Sequence, residues 1–405
     1  MKRIDDVFDE NELINLALNL IEIDSSTACA ARERNVAAFL MNLFKHEGIP
    51  CRLQEIDGDR GNVIALLTGN GTKKSLMLNG HMDTVPAGDM EQPFAPYIKN
   101  GILRGRGAAD MKSGLAAMAY SLILLKRMEI LLGGDVVFAG VIDEEAAKST
   151  GSRYLAEYGP KTDYAIVGEP TCLRPVTAHK GIDYFSVTFT GRAAHSSTPE
   201  NGINAVYAAS EYALLVKDRL IPEYQKKCHP LVGSPTVNLG LVKGAAQANT
   251  GFLTGHAETF AGIVPDICTV WLDIRWIPGQ TIEGILSDLN QLGEPLKDKY
   301  PGLQIHAEYI RLPRPAMEIA PDDDLVIAVA RHAESFEPGA GTPEGASYFA
   351  DSGILSGVGH TPSMIFGPGD IRFAHAADEH IETGQIIKAA KIYALTAAEI
   401  CGLSL

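Results

Sequence analysis

In five places this chain sets a histidine or an acid where a short apolar or glycine-punctuated run gives way to a loop. The segments are Leu76-Met-Leu-Asn-Gly-His81-Met-Asp83, Gly105-Arg-Gly-Ala-Ala-Asp110, Val141-Ile-Asp-Glu144-Glu145, Ala165-Ile-Val-Gly-Glu169 and Phe366-Gly-Pro-Gly-Asp-Ile-Arg-Phe-Ala-His375. Charged groups in such places belong on the rim of a core, and in open α/β sheets the crevice at the strand ends is where ligands bind. The pattern therefore favours a layered α/β fold that gathers several strand ends at one edge.

Each segment alone has an ordinary explanation. His81-Met-Asp83 suits a strand end, because residues two apart share a face and a carboxylate can orient an imidazole; it also suits a solvated turn. Asp110, just ahead of a helical run, reads as a metal ligand or as an N-cap. Glu144 and Glu145 are adjacent like charges, which need a cation or a proton if buried and nothing special if solvated. Together the segments supply two histidines and several carboxylates, a mixed N/O set suited to a pair of zinc ions, with manganese or cobalt also compatible.

At 405 residues the chain exceeds the usual size of one core, so two domains are expected. Helical spacing marks 10–23, 31–48, 113–128 and 150–158, and strand-like runs fall at 62–67, 75–79, 135–142 and 164–167. That alternation resumes near the end, with a helix over 322–334, a strand at 363–366 and a helix over 384–400. Between them the order changes to strand 183–190, helix 204–220, strands 236–242 and 268–276, helix 281–296 and strand 304–309. This βαββαβ order is that of a split-βαβ module. The expected organisation is a discontinuous α/β catalytic domain, residues 1–181 and 314–405, its central sheet flanked by helices, with an inserted ferredoxin-like α+β lid over 182–313.

The formal charge of −15 argues against nucleic acid or an anionic membrane as partner, since both select a basic surface. The six cysteines form no Cys-x-x-Cys pair, and acidic residues interrupt any apolar stretch in Met1–Glu10, so a reduced, cytoplasmic protein is expected.

The order His-x-Asp, Gly-x-x-Asp-Met-Lys, Asp-Glu-Glu, Gly-Glu-Pro-Thr and Ala-His-x-x-Asp-Glu resembles the acetylornithine deacetylase and succinyl-diaminopimelate desuccinylase family of co-catalytic di-metal amidohydrolases. Aminoacylases, glutamate carboxypeptidases and several dipeptidases belong to the same larger group. The resemblance implies that Asp110 bridges two metals, with His81 and Glu169 completing one site and Glu145 and His375 the other. It implies that Asp83 orients His81, that Glu144 is the general base, and that the Asp110–Met111 peptide is cis.

In the lid, Gly191-Arg-Ala-Ala-His195-Ser resembles a segment whose histidine would stabilise the oxyanion, of its own chain or, in a dimer, of the other subunit. Arg275 matches an arginine that binds a substrate carboxylate, and Lys180 is a further substrate-binding candidate. One departure concerns an asparagine common in relatives: Gly262 stands about where it would be, and either Asn249 or His256 from the longer 243–261 stretch substitutes or the contact is absent.

The implied activity is hydrolysis of an N-acyl amino acid by a homodimer joined through its lids, with a dipeptidase or carboxypeptidase as the alternative. A nucleotide-binding oxidoreductase is disfavoured, because no Gly-x-Gly-x-x-Gly follows the first strand and no Walker Gly-Lys-Ser/Thr occurs.

Overall fold

A computed structural model describes residues 2–146, 148–247 and 262–403. Contacts divide the chain into two compact units: one holds the chain up to His179 together with Met317–Ala346 and the part from Ala350 onward, the other Lys180–Ala316 with Ser347–Phe349. The second unit thus takes in a short piece of the later segment besides the insertion.

The first unit is built on a nine-stranded mixed sheet. At its centre Leu76–His81 pairs in parallel with Val136–Val141 on one side and Tyr164–Val167 on the other, and Ser363–Ile365 joins Tyr164–Val167, also in parallel. These four strands are buried along their whole length, as parallel strands covered on both faces must be, and that is why they read as unbroken apolar runs. Antiparallel strands extend both sides, Arg60–Leu67 and Cys51–Asp57 on one, Val176–His179 and Met317–Glu318 on the other. Cys51–Asp57 carries no sequence signal because, as an edge strand, it buries only Gln54.

The helix Lys112–Arg127 is buried without interruption from Lys112 to Leu125, packed against the sheet and the helix Thr383–Cys401. The surface helix Glu10–Glu22 instead buries one stripe, Leu13, Leu16, Ala17, Leu20 and Ile21, and its N-cap Asp9 accepts from the Asn11 and Glu12 amides. Tyr97–Lys99, Ile102–Arg104 and His380–Glu382 form a separate three-stranded sheet, each strand too short for a periodic pattern to show.

The second unit is a four-stranded antiparallel sheet, ordered Thr236–Ala245, Ile267–Trp276, Gly181–Thr190, Gln304–Tyr309. Helices Ala205–Leu215 and Ile282–Lys299 pack on it, and Phe185, Val187, Phe189, Tyr212, Leu272 and Leu289 lie in the shared core. The strict alternation of burial along Ile267–Trp276 is that of a sheet with one covered face. The single helix expected over 204–220 gives way to a π turn at Val216–Leu220 and a short helix Ile221–Gln225. Pro222 supplies no amide there, and a widened turn accommodates that loss. No helix among the described residues is long and apolar enough to cross a membrane.

Close approach of backbone to backbone sets the helix Lys112–Arg127 against the strand end before Glu169. A Cβ at Gly114 would lie 2.5 Å from the Gly168 carbonyl oxygen, whereas one at Gly384 would meet nothing. Gly114→Ala is therefore expected to lower unfolding free energy by about 1–3 kcal/mol through overpacking, despite its helix-propensity gain. Gly384→Ala should be neutral or stabilising, and urea midpoints of the two variants check the contrast.

Candidate metal centre

The parallel strands deliver their carboxyl ends to one rim. His81 closes its strand in register with Val141, so the loop bearing Glu144 and Glu145 starts beside it; Asn79 pairs with Val167, two residues before Glu169. Asp110 comes from the loop ahead of the buried helix, through an Asp110–Met111 peptide that is cis. Met111 lies under the site, its sulfur 3.4 Å from the His81 amide, in space that side chains at Gly80 and Gly168 would fill.

Asp110 divides its two oxygens between two clusters. Its Oδ1 lies 3.0 Å from His81 Nε2, which is also 3.6 Å from a Glu169 oxygen. Its Oδ2 lies 3.3 Å from His375 Nε2, which is 3.0 Å from a Glu145 oxygen. His81, Asp110 and Glu169 have ligand atoms close enough to share one ion, as do Asp110, Glu145 and His375. The first cluster is buried; in the second His375 is half exposed. Glu144 belongs to neither group.

The electrostatics describe a place starved of positive charge. Burial draws His81 down, but the charges of Glu169 and Asp110 carry it well above its ordinary value. Hydrogen bonds to Asp110 and Glu145 raise His375 to about 10. Burial, then the charges of Asp351 and Glu145, push Glu144 well up, and burial with the Asp110 charge does the same to Glu169. Asp110 is lowered: burial opposes ionisation, and the hydrogen bonds of His375 and His81 outweigh it. Protons are thus drawn to positions that suit divalent ions, and the donor set, imidazole and carboxylate, fits them.

Asp83 meets His81 first through its main chain. The close partner of His81 Nδ1 is the Asp83 main-chain oxygen at 2.8 Å, with its carboxylate at 3.7 Å. That carboxylate instead accepts the amides of Glu144 and Glu145 at 3.2 and 2.9 Å and so fixes the loop carrying both. From the other side Asp143, at a φ of 63°, accepts Arg60 and Arg32 at 2.7 and 2.5 Å, while buried Glu33 holds Arg60. Sequence reasoning missed this Glu33–Arg60–Asp143 network, since its members are far apart in the chain and carry no motif.

In the second unit His195 is exposed, and its Nδ1 accepts the Ser197 amide at 3.1 Å, which leaves the proton of a neutral ring on Nε2. Arg275 lies 3.4 Å from Asp273, and Lys180 donates to the Ser234 carbonyl at 2.6 Å. Burial, then the Arg275 charge, lowers the Lys180 ammonium. Gly262 has a φ of 69° and accepts the Ser196 amide; Asn249 and His256 lie outside the described residues.

A family profile described as peptidase family M20/M25/M40 matches residues 77–399. Among solved structures, the chain is similar to the aminopeptidase PepT of Bacillus cereus, with 20% identity, coverage of 97% of this chain and 99% of that one, and a TM-score of 0.73. It is similar to a tripeptidase of Staphylococcus aureus, with 21% identity, 96% and 98% coverage and a TM-score of 0.71. A Bacillus subtilis protein described as a dinuclear metal binding peptidase shares 16% identity over 96% and 98% of the two chains, with a TM-score of 0.69.

The raised groups set the sign of a pH effect on the metal-free protein. His81, His375, Glu144, Glu169 and Asp83, the last at about 7 through burial, all bind protons more tightly folded than unfolded. Their contribution is present at low pH and is lost as pH rises through the folded values, whereas the opposite contribution of Asp110 is complete before neutrality. With chelator the urea midpoint should fall between about pH 6 and pH 9, and saturating zinc should flatten or reverse the slope because ions bind the deprotonated ligands. A midpoint that rises over this range in chelator would contradict the electrostatic reading.

Proposed function

The chain belongs to peptidase family M20/M25/M40, and from that premise we propose that it hydrolyses the amide bond of an N-acyl amino acid with two divalent metal ions. The observation that carries this reading is Asp110, whose two oxygens face the two clusters separately. His81 and Glu169 would hold one ion, Glu145 and His375 the other, and Asp110 both. Zinc suits this mixed N/O set best, with cobalt or manganese compatible.

Bound there, such ions would acidify water and polarise a carbonyl. Glu144, outside both ligand groups and with its affinity for protons raised by burial, takes the proton of the attacking water and returns it to the leaving amine. His195, with Nδ1 engaged by Ser197, has an Nε2 proton to donate to the developing oxyanion. Arg275, together with Lys180, supplies charge and a fork of donors for a substrate carboxylate.

The same chemistry serves a peptide bond. The likeness to proteins described as an aminopeptidase and a tripeptidase favours a short peptide as the second reading. A homodimer through the second unit is part of the proposal, supported by the edge strand Thr236–Ala245 with its exposed Leu241 and Val242. Six free cysteines suit the reducing cytoplasm.

Assaying acetyl- and succinyl-amino acids beside di- and tripeptides, with metal content measured on the same sample, tests the substrate class. A fully metallated protein inactive on all of them would end the proposal. Glu144→Ala should keep both metals and lose about 10²- to 10⁴-fold in kcat. Glu145→Ala should instead lower metal occupancy, and the reverse pattern would exchange the two roles. Arg275→Ala should act mainly on KM, because a carboxylate clamp is made in ground and transition states alike. An effect confined to kcat would remove Arg275 from substrate binding.

A further inference from the structure

One fully buried carboxylate beside the centre belongs to neither ligand group. Glu379 is 1% exposed and spends both its oxygens on the loop that delivers Asp110. Oε1 accepts three main-chain amides, those of Gly107, Ala109 and Asp110 itself, at 3.1, 2.9 and 3.0 Å. Oε2 accepts Arg106 Nη1 at 2.6 Å, and Arg106 is also buried. Successive amides converging on one anion form a nest, which needs the backbone curled. Gly107 provides the curl at a φ of 88°, where a Cβ would also lie 2.9 Å from Lys112 and 3.0 Å from Thr84. Arg106 ties a further segment, donating to the Ala87 carbonyl at 3.2 Å while its own amide donates to Pro93.

Glu379 follows His375 by four residues, so a single carboxylate joins the segments that supply two ligands of one cluster. Burial raises Glu379, with the Asp110 amide pulling against that rise, and Arg106 stands as the one cation paired with it among the described residues. The clamp adds to the backbone bonds of that loop, among them Arg106 to Pro93 and Lys112 to Gly107, and is the part that reaches the Asp110 amide itself.

We propose that Glu379 is a positioning residue that assembles the Asp110 loop before metal arrives, so that the cluster of Asp110, Glu145 and His375 binds its ion without first ordering the loop. This rests on the two-metal reading. Groups that orient metal ligands typically contribute about 10- to 100-fold to metal affinity. A glutamine cannot replace the carboxylate, since its amide group offers a donor either to the three amides or to Arg106, whichever way it is turned.

The test is zinc titration of the chelator-stripped full chain and its Glu379→Gln variant against a competing zinc indicator. Two zinc ions should bind each, with at least one of them about 10- to 100-fold weaker in the variant, and saturating zinc should restore kcat to near the wild-type value. Equal affinities in the two proteins would overturn the proposal. Hydrogen exchange on the wild type supplies an arm that does not depend on the variant folding. Amides of Gly107, Ala109 and Asp110 should exchange slowly with or without zinc, and rapid exchange in chelator would also overturn it. A wild type that binds fewer than two zinc ions would instead refute the two-metal reading, and the exchange measurement would still judge the clamp.

Discussion

Negative charge crowded against buried backbone is the constraint from which this structure follows. Asp83, Asp110, Glu144, Glu145 and Glu169 all meet around His81 and His375 at the carboxyl ends of parallel strands. Burial favours neutral Asp83, Glu144 and Glu169, and the charges of neighbouring acids raise their affinity for protons further. Asp110, flanked by both imidazoles, is held below the ordinary carboxylate value, and it is the residue whose oxygens face both clusters. A pair of divalent ions would relieve the whole group at once, which no single ion pair within the site does.

The surrounding elements hold that unfavourable arrangement still. Main-chain amides on the Asp83 carboxylate fix the Glu144–Glu145 loop from one side, and the Glu33–Arg60–Asp143 network fixes it from the other. Gly80, Gly114 and Gly168 let Met111 and the buried helix approach the strand ends closely enough to carry Asp110 to its place. The rigid parallel core is thus what allows like charges to be kept close without an internal counter-ion for each.

How much of this was legible in the sequence depended on burial. The central strands Leu76–His81, Val136–Val141 and Tyr164–Val167 are buried on both faces and announce themselves as apolar runs, whereas the edge strand Cys51–Asp57 buries one residue and does not. The ligand types were readable because each stands where such a run stops. Their pairing was not, since which Asp110 oxygen faces which histidine is set by loop geometry. The closer contact of His81 with the Asp83 carbonyl was hidden because sequence shows side chains, and any residue at position 83 offers a carbonyl. Arg60 and Glu33 went unread because a buried ion pair between distant segments leaves no local pattern.

Under the proposed function, hydrolysis depends on two ions held by this one rim. The most direct measurement is hydrolytic rate as zinc is returned stepwise to chelator-stripped protein, with bound metal quantified at each step. No activity is expected at zero metal, and the rate should climb to its plateau as occupancy reaches two ions per chain. Full activity in protein shown to be metal-free, or a plateau reached with both clusters disabled by Asp110→Ala, would contradict it.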